Sequence, residues 1–337
     1  MSGFPPARQT AMPKRLSLVA EACMAMRAFV SAEKISVGGQ AVIEGVMMRS
    51  PKLVSTAVRR PGGDISVRTT PYVSVSKKNK LLGLPVIRGA VVLVETLALG
   101  VSSLAYSAEE ALRENDDEAH EGDAGGGEGG KGGKDKAKPR EAITKVGLTF
   151  TMLVALVLGF ALFFYLPLFV ADSTGLKSGL WFNLVDGAVR LAVFILYVSL
   201  IGLWGEMQKL YQYHGAEHKS IHAFEAGEEL TPENAMKYTT LHPRCGTSFL
   251  LMVVIVSLIV FIILGRPQSW GERVARFLAV PLIAGVAFEL TKLSGKYAKS
   301  AVGAALIAPG LWLQRITTKE PTRPQLEVAL KALKEVL

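Results

Sequence analysis

The run Gly246-Thr-Ser-Phe-Leu-Leu-Met-Val-Val-Ile-Val-Ser-Leu-Ile-Val-Phe-Ile-Ile-Leu-Gly265 decides the fold, because its 20 residues carry no charge. A helix rising about 1.5 Å per residue over that length crosses a hydrocarbon core of about 30 Å. Val146 to Ala171, 26 residues long, is equally free of charge. Gly187 to Gly205 is a third candidate, marked only by Arg190 near its start, whose long side chain can reach back to the headgroups. A compact fourth span is expected near Phe277 to Glu289. The 337 residues are 50% hydrophobic, which fits a polytopic α-helical membrane protein of about four spans better than a soluble two-domain chain.

Two other apolar stretches read as re-entrant or interfacial helices. Leu81 to Ala108 contains Arg88 and Glu95, and Ser300 to Gln314 is short. Backbone groups that leave a helix within lipid need protein or water partners, so neighbouring helices must shelter any half-crossing. Arg88, Glu95, Arg190 and Glu289 read as snorkelling or structurally paired groups rather than a transport path. Short loops rich in Lys and Arg stay on the cytoplasmic side. The connector Asp172 to Asp186 has Lys177 alone, whereas Glu206 to Arg244 has Lys209, Lys219, Lys237 and Arg244. The first 80 residues hold thirteen Lys or Arg against four Asp or Glu. The expectation is a multi-pass protein of a bacterial cytoplasmic membrane, with the N-terminus and segment 206–245 in the cytoplasm.

The net charge of +9 fits attraction to anionic membrane lipids, and no aromatic-interleaved basic stripe suggests nucleic acid. Cys23 and Cys245 both fall on the expected cytoplasmic side, which argues against a disulfide. Residues 1–34 read as a tail with an amphipathic helix, in which Leu16, Val19, Ala20, Cys23, Met26 and Val30 recur at helical spacing. Residues 35–80 read as a small β-rich cytoplasmic region, with a hairpin turning at Pro61-Gly62-Gly63. An interfacial or re-entrant helix at 81–108 leads to a Gly-rich linker at 109–141, whose composition cannot bury enough apolar surface to order itself. A transmembrane region, 142–316, and a C-terminal amphipathic helix, 317–337, complete the chain.

Four of the five histidines and one cysteine fall in Tyr211-Gln-Tyr-His214-Gly-Ala-Glu217-His218-Lys-Ser-Ile-His222 and His242-Pro-Arg-Cys245. On a helix, His214 and His218 lie one turn apart on one face, the separation two imidazoles need to share a zinc-sized ion. His-x-x-Glu-His is the inverted zinc-protease pattern, in which the Glu, here Glu217, is the general base. His222 extends the row, but about 12 Å along the axis separates it from His214, so one ion cannot take all three from a straight helix. His242 and Cys245 are the nearest further ligands, and Glu225 is a weaker one. The alternative is a hydrogen-bonded polar network with Cys245 as a small buried residue. A second segment, Val37-Gly-Gly-Gln40-Ala-Val-Ile-Glu44-Gly-Val-Met-Met-Arg49-Ser-Pro51, offers an amide, a carboxylate and a bidentate cation. Gln40, Glu44 and Arg49, with His222, could support the ligands or touch substrate, or the segment could be a tight Gly-rich connection tying the sheet to the helices.

Gly38-Gly39-Gln40-Ala-Val-Ile-Glu44-Gly45-Val-Met-Met-Arg49, Arg88-Gly89, Tyr213-His214-Gly-Ala-Glu217-His218-Lys219, His242-Pro-Arg-Cys245-Gly-Thr-Ser248 and Pro309-Gly-Leu-Trp-Leu-Gln314 together resemble the bacterial YqhQ-like family. The resemblance covers most of Ile35 to Leu337 apart from the Gly-rich linker. It implies a membrane location and a metal-dependent role for the His cluster, and it implies no substrate. The expected function is a metal-dependent, hydrolytic integral membrane enzyme. Its ion, zinc first among divalent metals, would be held by His214, His218 and His242 or Cys245, with Glu217 as base and a lipid or membrane peptide as substrate. A non-catalytic membrane scaffold or assembly factor is the alternative, and a transporter comes third.

Overall fold

The computed structural model describes residues 36–113, 150–151, 153–297 and 300–337. The expected helix at Leu16 to Val30 and the Gly-rich linker from residue 114 onward lie outside the described residues.

The segment 38–71 is a four-stranded antiparallel meander of β1 (Gly38–Val42), β2 (Gly45–Arg49), β3 (Leu53–Arg59) and β4 (Ile65–Pro71), in the order β1-β2-β3-β4. The Pro61-Gly-Gly turn joins β3 to β4, with Gly63 at φ +93 as a left-handed turn position requires. The Gly-rich segment 37–51, read as a source of supporting or substrate contacts or as a tight connection within the β-rich region, forms the first hairpin, with Gly39 opposite Met48 and Gln40 opposite Met47. Residues 45–48 of β2 are all buried because both faces of the sheet are covered. One face carries Val46, Met48 and Ala57 into the largest apolar core. The other packs Val42, Met47 and Val54 against Leu99.

After α1 (Val75–Lys78), α2 (Ile87–Leu112) crosses this second face. Helix α3 (Leu166–Ser173) continues from a π-turn at Ala161–Tyr165, and α4 (Gly179–Ile201) and α5 (Gly205–Ala226) follow. The chain ends with α6 (Pro232–Met236), α7 (Gly246–Leu264), α8 (Trp270–Leu278), α9 (Val280–Lys296), α10 (Ala301–Thr317) and α11 (Arg323–Lys334). Helix α11 lies against the first face of the sheet, where its Leu326, Ala329, Leu330 and Leu333 meet Tyr213, Ala216 and Ile221 of α5. That apolar spacing wraps one side of α11, and a Thr322–Gln325 capping box fixes its start.

Among the described residues, five helices are long and apolar enough to cross a membrane: Ile87–Leu112, Leu153–Ser173, Gly179–Ile201, Gly246–Leu264 and Trp270–Gly295. This is the helical build of a multi-pass membrane protein, with one more such helix than the sequence suggested. The addition is α2, which also runs on through 109–112, residues first assigned to the linker. From Glu95 onward it uses a polar face against the sheet: Ser103 bonds Thr56 at 3.1 Å, Tyr106 bonds Ser66 at 2.7 Å and Glu110 pairs with Arg60. Its opposite face exposes Val94, Leu97, Val101 and Leu104. Its first turns cross α9 at Gly89 and Gly285, where an added Cβ on Gly285 would sit 2.3 Å from the Val86 carbonyl oxygen.

Arg88, Glu95 and Arg190, set within apolar helices, are paired. Arg190 turns inward rather than toward headgroups, bonding Asp186 at 2.8 Å beneath the Phe261 ring, and Arg88 pairs with Glu289. Glu95 accepts from Tyr72 and Ser74, each at 2.8 Å.

Candidate metal centre

Helix α5 packs against the sheet and stops at Gly227, whose φ of 76 ends it in a left-handed cap. His214, Glu217, His218, His222 and Glu225 therefore project from consecutive turns. Segment 239–245 folds back over that face and is fastened there by Gln314 of α10. This fully buried amide accepts from the His242 backbone N–H at 2.7 Å and donates to the His242 carbonyl at 2.8 Å and to Ser248 Oγ at 2.8 Å. The result is a row of four imidazoles, His214, His218, His242 and His222, with successive ring centroids 4.4, 5.6 and 4.7 Å apart.

Backbone carbonyls set the tautomers of three of these rings. His214 Nδ1 donates to Thr317 O at 2.8 Å, His218 Nδ1 to Thr240 O at 2.5 Å, and His222 Nε2 to Leu241 O at 2.9 Å. In each ring the second nitrogen is left as a lone pair, as a metal-ligating histidine requires; that of His214 meets Cys245 Sγ, whereas those of the other two are bare. His218 Nε2 and His222 Nδ1 are buried without any hydrogen-bond partner. Unpaired buried polar atoms are costly, and these two nitrogens are free to take a ligand.

The donors fall into two groups. His214, His218 and Cys245 place one ligand atom each within 4.8 Å of one another, and His222, Glu225 and His242 do the same. His242, expected to join His214 and His218, belongs with His222 instead, because Gln314 pins its backbone one turn farther along α5. Cys245 Sγ lies 3.1 Å from His214 Nε2 and occupies the N-cap of α7, where it accepts from the Thr247 amide at 3.4 Å. Burial would raise its thiol, yet His218 beside it and the contacts with Thr247 bring it below the ordinary value. Burial pushes His218 and His242 down to about 4 and His222 to about 3, so all three are neutral at pH 7.

Glu217 borders a cavity of about 600 Å³ together with His218, His242 and Cys245. Burial raises its carboxyl to about 8 against the opposing pull of His214, with Cys245 adding to the rise and the Gly39 backbone resisting it. An added Cβ on Gly39 would meet Glu217 Cγ at 2.8 Å, so the first hairpin contributes a bare backbone to this carboxylate. The rest of the cavity is largely apolar, with Val92 and Leu93 of α2 facing Phe249 and Phe288. Gln40 and Arg49 line it as well. Arg49 also bonds Thr96 at 3.4 Å and lies over the Tyr72 ring. Glu44 is used differently: it binds Lys209 at 3.1 Å and Tyr213 at 3.2 Å, clamping the hairpin tip to α5.

Residues 84–337 match the family model described as "Protein of unknown function (DUF1385)". The chain belongs to this family. It is also 31% identical over 306 residues to the "Uncharacterized protein YqhQ" of Bacillus subtilis (strain 168), covering 89% of this chain and 92% of that protein. No solved structure matches. The family model takes in the whole imidazole row and Gln314 and begins after the sheet. Gln314 stood in the sequence as the end of a family motif, without a role. Its one legible signal was an amide closing an otherwise apolar helix.

Proposed function

We propose that the protein is a metal-dependent membrane hydrolase whose site lies at the cytoplasmic face of a bacterial inner membrane. The observation that carries this reading is the carbonyl-fixed pair His214 and His218 converging with Cys245 around a buried lone pair that nothing else satisfies. Two imidazoles and a thiolate with a fourth position open match the donor set of a catalytic zinc. Such an ion supplies Lewis-acid polarisation of a scissile carbonyl or phosphoryl oxygen.

The remaining work falls to the chain's own residues. Glu217, close to His214 and Cys245, takes the proton of an attacking water, and positive charge in the site would keep it ionised. Val92, Leu93, Phe249 and Phe288 receive an apolar group and exclude bulk water, and Gln40 and Arg49 orient a polar head. An amphiphilic substrate, a lipid or a membrane-embedded peptide, suits this lining and the exposed apolar face of α2. The clamp that Glu44 makes with Lys209 and Tyr213 favours a second reading, a scaffold in which the motifs only fasten sheet to helices.

Glu217→Gln separates the two. The hydrolase reading expects the variant to retain its metal and fail to complement a chromosomal deletion. Full complementation by a metal-replete variant would favour the scaffold.

A further inference from the structure

We infer that His222, Glu225 and His242 form a second site for a divalent first-row transition cation, beside the first and separate from it. Each residue brings one ligand atom within 4.8 Å of the other two. Each is more than nine-tenths buried, and each holds an atom without a hydrogen-bond partner: His222 Nδ1, Glu225 Oε2 and His242 Nε2. One orphan could be a packing accident. Three converge from two separate segments: His242 Nε2 and Glu225 Oε2 approach one another only to 3.5 Å, and a cation between the three would satisfy them together. Two imidazoles and one carboxylate with further positions open is a donor set used for zinc, manganese and iron(II).

The surroundings also set the affinity. Glu225 Oε1 pairs with the Arg244 guanidinium, which offsets the one negative charge of the trio and opposes an incoming cation. His242 Nδ1 accepts from the Arg244 amide at 3.3 Å, which puts the ring proton on Nε2, 3.5 Å from Glu225 Oε2; to ligate through Nε2 the ring must move that proton to Nδ1 and give up the Arg244 bond. The second ion therefore binds more weakly than the first. Of the three residues, His242 lines the cavity, with Arg244 beside it.

Cobalt(II) titration of the full chain in detergent, after metal removal, tests this without reference to activity. Only the first site contains sulfur, so the expected result is two equivalents: a tight one carrying the thiolate-to-cobalt charge-transfer band and a weaker one adding ligand-field absorbance alone. His222→Gln and Glu225→Gln should each abolish the weaker equivalent and keep the band, which also reports that these variants are folded. Arg244→Gln should tighten the weaker equivalent about tenfold, a gain that misfolding cannot mimic. Wild-type saturation at one equivalent with the band would overturn the second site and leave the hydrolase reading standing. A single equivalent without the band, lost in His222→Gln, would support this site and remove the other.

Discussion

At the scale of single residues, what distinguishes this site from an ordinary polar cluster is where the protons are. A histidine in a hydrogen-bonded network uses both nitrogens, whereas His218 and His222 give one N–H to a main-chain carbonyl and bury the other nitrogen bare. In the metal-free protein this arrangement sets the pH response. His218, His222 and His242 have folded values of about 4, 3 and 4, below the ordinary 6.5, so the stability they contribute is present above 6.5 and lost as pH falls toward 4. Glu217 acts in the opposite sense: raised from 4.5 to about 8, it contributes most below 4.5 and loses that contribution as pH rises through 8. Thermal melts of chelator-treated protein should therefore fall between pH 6.5 and 4, and fall more steeply in Glu217→Gln. A flat profile would mean that the imidazoles are not buried as described. The pairing of His214 with His218 was legible from a spacing of four. The partnership of His242 with His222 was not, because it depends on Gln314, 72 residues away in sequence, holding the main chain of His242.

At the scale of elements, close backbone contacts bring α5, the sheet and the C-terminal segment together. Gly215 faces the Lys319 carbonyl, and an added Cβ would lie 2.1 Å from that oxygen, with no flexible side chain there to give way. Gly215→Ala should lower stability by about 1–3 kcal/mol, in the range of other overpacked sites, and should weaken metal retention by shifting His214. A neutral result in denaturant melts would contradict this packing. Gln314→Leu leaves the His242 amide and carbonyl buried without their partner, a loss of about 1–3 kcal/mol for each unsatisfied group. It should also release the second cation before the first. The Pro61-Gly-Gly turn announced β3 and β4 because its residues fit the turn geometry. The first hairpin escaped the same reading: Gly38, Gly39 and Gly45 are poor strand formers, and its turn places Glu44, not glycine, at φ 48. Only tertiary packing, with α5 and α11 on one face and α2 on the other, holds it as a sheet.

At the scale of the whole molecule, apolar length revealed the spans, whereas the role of α2 was set by its neighbours. Arg88 and Glu95 discouraged reading this stretch as a crossing; the structure gives both of them partners, on α9 and around α1, and the proposed orientation, with the sheet and α5 packed together on one side, leaves α2 beside the bilayer rather than across it. The proposed orientation can be tested with cysteines placed on a Cys23→Ser background. Lys177→Cys, in the connector before α4, should react in intact cells with a membrane-impermeant maleimide. Glu229→Cys, just beyond α5, should react only after lysis. The reverse pattern would put the imidazole row on the outer face. The central claim, that His214, His218 and Cys245 grip one ion, is tested most directly by X-ray absorption at the edge of whatever metal the protein retains after purification without chelators. The account predicts one sulfur neighbour at about 2.3 Å with nitrogen or oxygen at about 2.0–2.1 Å, and loss of the sulfur in Cys245→Ser. A metal-free protein, or a coordination sphere of light atoms alone, would contradict it.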